Sequence, residues 1–209
     1  MSVAKENTEL LLKLAPEILD PVLIPFNFRR PQRSLAYTRS FSDAKQVLAL
    51  HFDNSPRYAQ QTKMHLLPAV CVKMPEVARQ AFEMTGDTFL FGKTEIVISH
   101  QMQNLAPKSE HERWFVSDAV SCQIALREIA AFFPRWAEPF LRDYTSPDDL
   151  IRQYELGDTR PFQTDQLFVF IAACYLLRGQ KSEAGLVLEK HLGKPGLKRK
   201  YAKAFDFVA

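Results

Sequence analysis

Residues 33–53 read RSLAYTRSFSDAKQVLALHFD, and the alternation of apolar and polar side chains predicts two β-strands in this stretch. The polar residues 42–45 predict the turn of a hairpin. If Phe41 lies opposite Leu48, one face of the hairpin is apolar. That face contains Leu35, Tyr37, Phe41, Leu48, Leu50 and Phe52. A slip of one residue would send the second strand's apolar residues to the other side, so burial of a single face favours this pairing.

The opposite, polar face of the sheet is the best candidate for a binding surface. The predicted binding residues on this face and at its margin are Thr38, His51, Asp53, Arg57, Lys73, Ser99 and Gln101, and His65 also lies at the margin. Histidine, aspartate and lysine on one rigid surface suit proton transfer or the binding of an anionic group. The same residue types are ordinary on a solvated sheet face. Because no glycine-rich loop or nucleophile elbow lies near these strands, we predict no catalytic residue.

Composition and charge narrow the class of protein. Hydrophobic residues make up 46% of the 209 residues and charged residues 24%, as is typical of a soluble globular protein. With 27 basic and 24 acidic residues, the net charge of +3 predicts no global attraction for nucleic acid. Cys71, Cys122 and Cys174 form no C-x-x-C pair, which favours free thiols in a reducing compartment.

The first thirty residues predict a cytoplasmic protein that makes no membrane contact. Residues 1–7 lack the pattern of a secretion signal, and charges and prolines interrupt the apolar run 10–28. Residues 8–19 have a helical stripe with Thr8 as a possible cap. Pro16 and Pro21 predict a kink or two short helices there.

Beyond the hairpin, residues 66–74 predict a third strand, with an edge or a bulge at Pro68. Pro75 opens a short helix that ends near Gly86. Residues 88–91 and 95–103 predict the next strand or strands.

From residue 106 the apolar period changes to that of helices. We expect helix starts at Ser117 or Asp118 and at Ser146, a break at Pro134, helices over 164–178 and 182–192, and a basic helix at the end. Strands first and helices second indicate an α+β fold: an N-terminal helix, an antiparallel sheet of about four to five strands, and about five C-terminal helices. We divide the chain into 1–105 and 106–209, with the helical region packed on the sheet as one compact domain.

One helix pair has the spacing of a tetratricopeptide repeat. Its repeat-like residues are Phe168, Ile171, Ala172, Tyr175, Gly179, Ala184 and Leu188. The pair resembles one such repeat over about a seventh of the chain, which implies a protein-binding surface. Two antiparallel helices of any origin need similar residues, and solenoids need at least three repeats.

Two further groups of side chains suggest ligands. Lys194, Lys198, Arg199, Lys200 and Lys203 could contact phosphates, although cations near a helix end also favour the macrodipole. His51, Asp53, His65 and His100 could be drawn as a metal site, but they lie on different strands and His100 is predicted to face the core. We therefore predict no metal and no cofactor.

The segment Phe26-Asn27-Phe28-Arg29-Arg30, between a helix and a strand containing Tyr37, resembles the opening of an uncharacterised bacterial family of small α+β proteins. The family's turn usually reads Gly-Phe-Lys-Lys-x-Gly, and here Asn27 and Gln32 replace the glycines. The resemblance covers residues 18–74. It implies no activity, but some relatives are suspected immunity proteins against bacterial toxins.

The leading hypothesis is a cytoplasmic protein that binds another protein, in the manner of an immunity protein. One alternative is an enzyme or small-ligand binder that uses the polar sheet face. A second is nucleic-acid binding by the basic C-terminal helix. The sequence also leaves a homo-oligomer open.

Overall fold

The computed structural model describes residues 3–86 and 95–209 and has an α+β fold. Its strands are β1 Ala36–Ser40, β2 Lys45–Asn54, β3 Met64–Lys73, β4 Ile96–Gln101 and β5 Trp114–Val116. Its helices are α1 Val3–Leu23, α2 Pro75–Thr85, α3 Ala119–Phe132, α4 Glu138–Arg142, α5 Pro147–Glu155, α6 Asp165–Leu177, α7 Lys181–Leu192, α8 Pro195–Lys200 and α9 Ala202–Val208. The predicted order of a helix, a sheet and then helices is confirmed. The strand predicted over residues 88–91 lies outside the described residues.

The strands form one antiparallel sheet in the order β1-β2-β3-β4, and β5 also pairs with β3. β3 therefore has a neighbour on each side and is not an edge strand, so the edge is wrong, and a bulge at Pro68 stays a prediction. β5 pairs only with residues 64–66, where Met64 lies opposite Val116 and Leu66 opposite Trp114. Pro68 lies beyond that ladder. The sequence did not predict β5, because three residues are too few to show an alternating pattern.

The register of the β1–β2 hairpin differs from the predicted one. The amide of Phe41 donates to the carbonyl of Ala44 at 2.7 Å, and the amide of Leu50 donates to the carbonyl of Leu35 at 2.9 Å. The turn is therefore tighter than predicted, and the pairing of Phe41 with Leu48 is wrong by four residues. A shift by an even number of residues leaves every side chain on the same face of the sheet, because side chains alternate between the faces. Tyr37, Leu48 and Leu50 are accordingly all buried. Phe41, next to the turn, is 40% exposed.

The buried face of this hairpin also holds two polar side chains, Arg39 and Gln46. The Nε of Arg39 donates to Oε1 of Gln46 at 2.7 Å, and its guanidinium pairs with the Glu138 carboxylate of α4 at 2.9 Å. Gln46 in turn donates to the carbonyl of Leu141 at 2.7 Å. The guanidinium also lies 4.7 Å from the ring centre of Phe28, so the buried charge has both ionic and aromatic neighbours.

Helix α1 is one continuous helix, so a division into two short helices is wrong. Pro16 and Pro21 both lie inside it, and Thr8 is not a cap because its hydroxyl donates to the carbonyl of Ala4 within the helix. Leu11, Leu14 and Leu19 are buried on both sides of Pro16. We infer that this burial offsets the backbone hydrogen bond that a proline removes.

The chain divides into two compact units. The first consists of residues 1–40, 46–70 and 100–142, and the second of residues 41–45, 71–99 and 143–209. Each unit thus combines separate segments of the chain. The division into residues 1–105 and 106–209 stays a prediction.

In the first unit, α1 packs against α3. Asp118 caps α3 in a capping box with Ser121, as the sequence predicts for Ser117 or Asp118. The predicted break at Pro134 is a wide π-helical turn over Phe133–Ala137 that leads directly into α4.

In the second unit, α6 packs against α2, α5 and α7. Gly86, at φ 63°, ends α2, and Ser146 caps α5 through the amide of Asp149, both as predicted. The expected basic helix at the end of the chain is instead two short helices, α8 and α9, which meet at Tyr201.

Candidate functional site

The predicted binding residues belong to both units. Thr38, His51, Asp53, Arg57 and Gln101 lie in the first unit, and Lys73 and Ser99 lie in the second. In the second unit, the Oγ of Ser99 is 3.4 Å from the Sγ of Cys71. Their common role in binding stays a prediction.

Within the first unit, the structure brings only Asp53 of this set into a cluster of side chains. The Thr38 backbone pairs with that of Arg29, and Gln101 accepts a hydrogen bond from Gln103. The side chains of His51 and Arg57 are exposed and form no hydrogen bond or ion pair within residues 3–86 and 95–209.

The loop between β2 and β3 carries a residue that the sequence analysis did not select, Tyr58. The loop is fixed at both ends, because the amide of Ser55 donates to the carbonyl of Lys63 at 2.8 Å and the amide of Lys63 donates to the carbonyl of Val116 at 2.8 Å. The hydroxyl of Ser117 donates to the carbonyl of Gln61 at 3.0 Å. These bonds anchor the loop beside β5.

Tyr58 packs on three residues of the sheet, and we call the four residues Asp53, Tyr58, His65 and Phe115 the Tyr58 patch. The Tyr58 hydroxyl lies 2.7 Å from Nδ1 of His65 and 3.4 Å from a carboxylate oxygen of Asp53. The His65 and Phe115 ring centres are 4.5 Å apart, and those of Tyr58 and Phe115 are 6.4 Å apart. β3 and β5 place His65 directly opposite Phe115. The patch is therefore an aromatic cluster that contains one carboxylate.

The exposure of the patch residues differs sharply. Tyr58 is 62% exposed and Phe115 is 36% exposed, whereas His65 beneath them is only 5% exposed. Tyr58 and Phe115 therefore expose aromatic surface to solvent, whereas the imidazole of His65 is buried. Nε2 of His65 is buried and has no hydrogen-bond partner among the described residues.

The protonation states of the patch follow from this packing. Burial lowers the pKa of His65, Arg113 lowers it further, and the Asp53 carboxylate acts in the opposite direction. Partial desolvation and the Asp53 carboxylate raise the pKa of the Tyr58 hydroxyl. At neutral pH the imidazole is therefore neutral and the hydroxyl protonated. With the hydrogen of His65 on Nδ1, the imidazole donates to the Tyr58 hydroxyl and the hydroxyl donates to the Asp53 carboxylate.

Sequence reasoning placed Asp53 on the polar face and His65 at its margin but missed Tyr58 and Phe115. An available signal was the single aromatic residue in the otherwise polar loop 55–63. Phe115 gave no such signal, because Trp114, Phe115 and Val116 are all apolar and only the structure shows that the outer two are buried and that Phe115 faces away from the core.

The basic residues near the end of the chain are partly neutralised within the second unit. Lys198 pairs with Glu189 at 2.9 Å and Lys200 pairs with Asp165 at 3.3 Å. Because two of the five cations have carboxylate partners, this group is a weaker phosphate site than the sequence suggests.

Over residues 3–86 and 95–209, no three or more His, Cys, Asp and Glu side chains are grouped so as to hold a metal ion. None of the described helices has the length and apolar character needed to cross a membrane.

Comparison with protein-family models, curated proteins and solved structures returns no match.

Proposed function

We propose that this chain is a binding protein and that it recognises another protein through the Tyr58 patch. The observation that carries the proposal is an exposed tyrosine whose hydroxyl is already held by His65 and Asp53. Tyrosine is enriched among the residues that dominate protein interfaces. A side chain fixed before binding also loses less conformational entropy on binding.

The neighbours of Tyr58 suit such an interface. Phe115 extends the exposed aromatic surface, and Arg113 lies close enough to influence the pKa values of Tyr58 and His65. Aromatic residues at the centre with arginine nearby are the composition of an interface core with a polar rim. We infer a partner that presents an apolar side chain to Tyr58 and Phe115, with hydrogen-bonding groups around it.

The patch supports binding better than catalysis. A general base must come within hydrogen-bonding distance of its substrate, and the His65 side chain is closed to solvent. The resemblance of residues 18–74 to a family with suspected immunity proteins adds a partner class to the proposal, a bacterial toxin.

Photo-crosslinking in the native host tests the proposal. The variant Tyr58→p-benzoylphenylalanine places the crosslinker in the patch. The control Leu156→p-benzoylphenylalanine uses a residue of the second unit that is 73% exposed. We expect one protein to crosslink at position 58 and not at position 156. Crosslinking at position 156 alone, or at neither position, would contradict the proposal.

Binding of the purified partner then separates the roles of the ring and the hydroxyl. Tyr58→Ala should raise the Kd by at least about tenfold, because it removes the aromatic anchor. Tyr58→Phe should raise it less, about threefold, because only the link to His65 and Asp53 is lost. Leu156→Ala should leave it unchanged. An unaltered Kd for Tyr58→Ala would show that the partner binds elsewhere.

A further inference from the structure

Helix α3, in the first unit, has apolar side chains on the side that lies opposite its buried face. Cys122, Leu126 and Ile129 face the core. On the other side, Val120 is 66% exposed and Ile124 is 50% exposed. The solvent side of an amphipathic helix normally carries charged or polar residues. The outer side of α3 therefore differs from an ordinary solvated helix surface.

The exposed apolar residues belong to a regular row along α3. We call Val120, Ile124, Arg127 and Ala131 the α3 stripe, and all four residues are exposed. Successive residues of the stripe are four, three and four positions apart, which is the spacing of the contact positions in a coiled coil. This spacing forms one continuous row of side chains on which a second helix can pack. No helix within residues 3–86 and 95–209 covers the stripe, since its residues are exposed.

The charges on this side of α3 favour a second copy of the chain as the partner. Arg127 of the stripe and its neighbour Glu128 are exposed, and neither forms an ion pair with any described residue. A two-fold axis that passes between these two positions brings each arginine to the glutamate of the other copy. An acidic or a basic partner would complement only one of the two charges.

We propose that two copies of this chain associate through their α3 stripes, with the two helices antiparallel and related by a two-fold axis between positions 127 and 128. Arg127 of each copy pairs with Glu128 of the other. The same axis places Ile124 opposite Ala131, where the small alanine leaves room for the larger side chain. The α3 stripe shares no residue with the Tyr58 patch, so the association is independent of the function proposed above.

Sedimentation equilibrium of the full chain at physiological salt tests the association. A single pair of helices buries less surface than a standard protein interface, so we expect a dimer with a Kd on the order of 0.1 mM. Ile124→Asp should raise this Kd at least about tenfold, because it places a carboxylate in the apolar row. Leu156→Asp makes the same kind of change at an exposed leucine of the second unit and should leave the Kd unchanged. A chain that stays monomeric at about 1 mM, or a dimer that Ile124→Asp does not weaken, would overturn the proposal.

Charge variants test the position of the two-fold axis. Arg127→Glu sets like charges against each other across the axis and should raise the Kd at least about tenfold. The double variant Arg127→Glu with Glu128→Arg exchanges the two charges, so it should restore the Kd to within about threefold of the wild-type value. Tyr58→Ala should not change the Kd, which separates this dimer from binding at the Tyr58 patch. A double variant as weak as Arg127→Glu alone would show that the two residues do not meet across the axis.

Discussion

Arg39 and Glu138 form an ion pair inside the first unit, although 99 residues separate them in the sequence. The Nη1 of Arg39 lies 2.9 Å from a Glu138 carboxylate oxygen, and the two side chains are only 8% and 6% exposed. Glu138→Leu would leave the guanidinium buried without its main counter-charge. We expect the free energy of unfolding in urea to fall by about 3–5 kcal/mol.

A double variant distinguishes the pair from a simple packing effect. Arg39→Leu combined with Glu138→Leu removes both charges, so its loss should be well below the sum of the two single losses. Additive losses would indicate that the two charges are not coupled.

The stability of the protein should depend on pH through His65. Burial lowers the pKa of the folded-state imidazole below its ordinary value of 6.5, so the unfolded chain binds protons more readily. The contribution of neutral His65 is fully present above about pH 6.5 and is lost as the pH falls toward the lowered folded-state pKa. Burial also lowers the pKa values of His100 and His191. These two residues therefore add to the loss of stability as the pH falls.

The variant His65→Gln measures how much of the pH dependence of stability comes from His65. Urea unfolding of the variant at a series of pH values between 7.5 and 5 should show a shallower decline in stability than the wild type. The matched variant His51→Gln changes an exposed histidine of the neighbouring strand and should retain the wild-type decline. If the wild-type slope persists in His65→Gln, the folded-state pKa of His65 is not lowered.

Two glycine substitutions should change stability in opposite directions. Gly157 has φ 75°, and an added Cβ would meet no atom within 4 Å, so Gly157→Ala isolates the cost of a left-handed backbone. We expect a loss of about 1 kcal/mol. Gly196 of α8 lies outside the left-handed region and also has open space around a new Cβ. Gly196→Ala should stabilise by about 0.4–1 kcal/mol, because alanine restricts the unfolded chain. Denaturant midpoints compared at equal m-values would detect either sign.

The three cysteines should react with a thiol reagent only after unfolding. Cys71, Cys122 and Cys174 are buried free thiols. Burial raises the pKa of Cys122 to about 11 and raises that of Cys174 as well, so both are protonated at pH 8. Ellman's reagent should label none of them rapidly in the native protein and all three in urea. Rapid labelling of Cys122 or Cys174 without denaturant would contradict their burial.

The hairpin shows what an alternating pattern can and cannot specify. Burial of one face distinguishes odd from even shifts of register, so Leu48 and Leu50 were placed on the correct side. It cannot distinguish shifts of two or four residues, and that choice depended on the turn at Ser42-Asp43. The pairing of Arg39 with Glu138 had no local signal, because the partners meet only in the folded chain.

The candidate site was predictable to a similar extent. The strand pattern placed Asp53 on the polar face, since strand periodicity is a local property. Tyr58 depends on the path of a loop that is fixed by bonds to Val116 and Ser117, more than fifty residues away. Neither turn propensity nor composition specifies such a path.

Each unit is built from separate segments of the chain, so cutting the chain at one position does not give two complete units. A fragment ending at residue 105 would contain α1 but not α3, the helix against which α1 packs. Helix α1 would then lose the helix that covers part of its surface. A fragment of residues 143–209 would likewise contain α6 without α2. Neither fragment therefore contains a complete hydrophobic core, and we expect neither to fold when it is expressed alone.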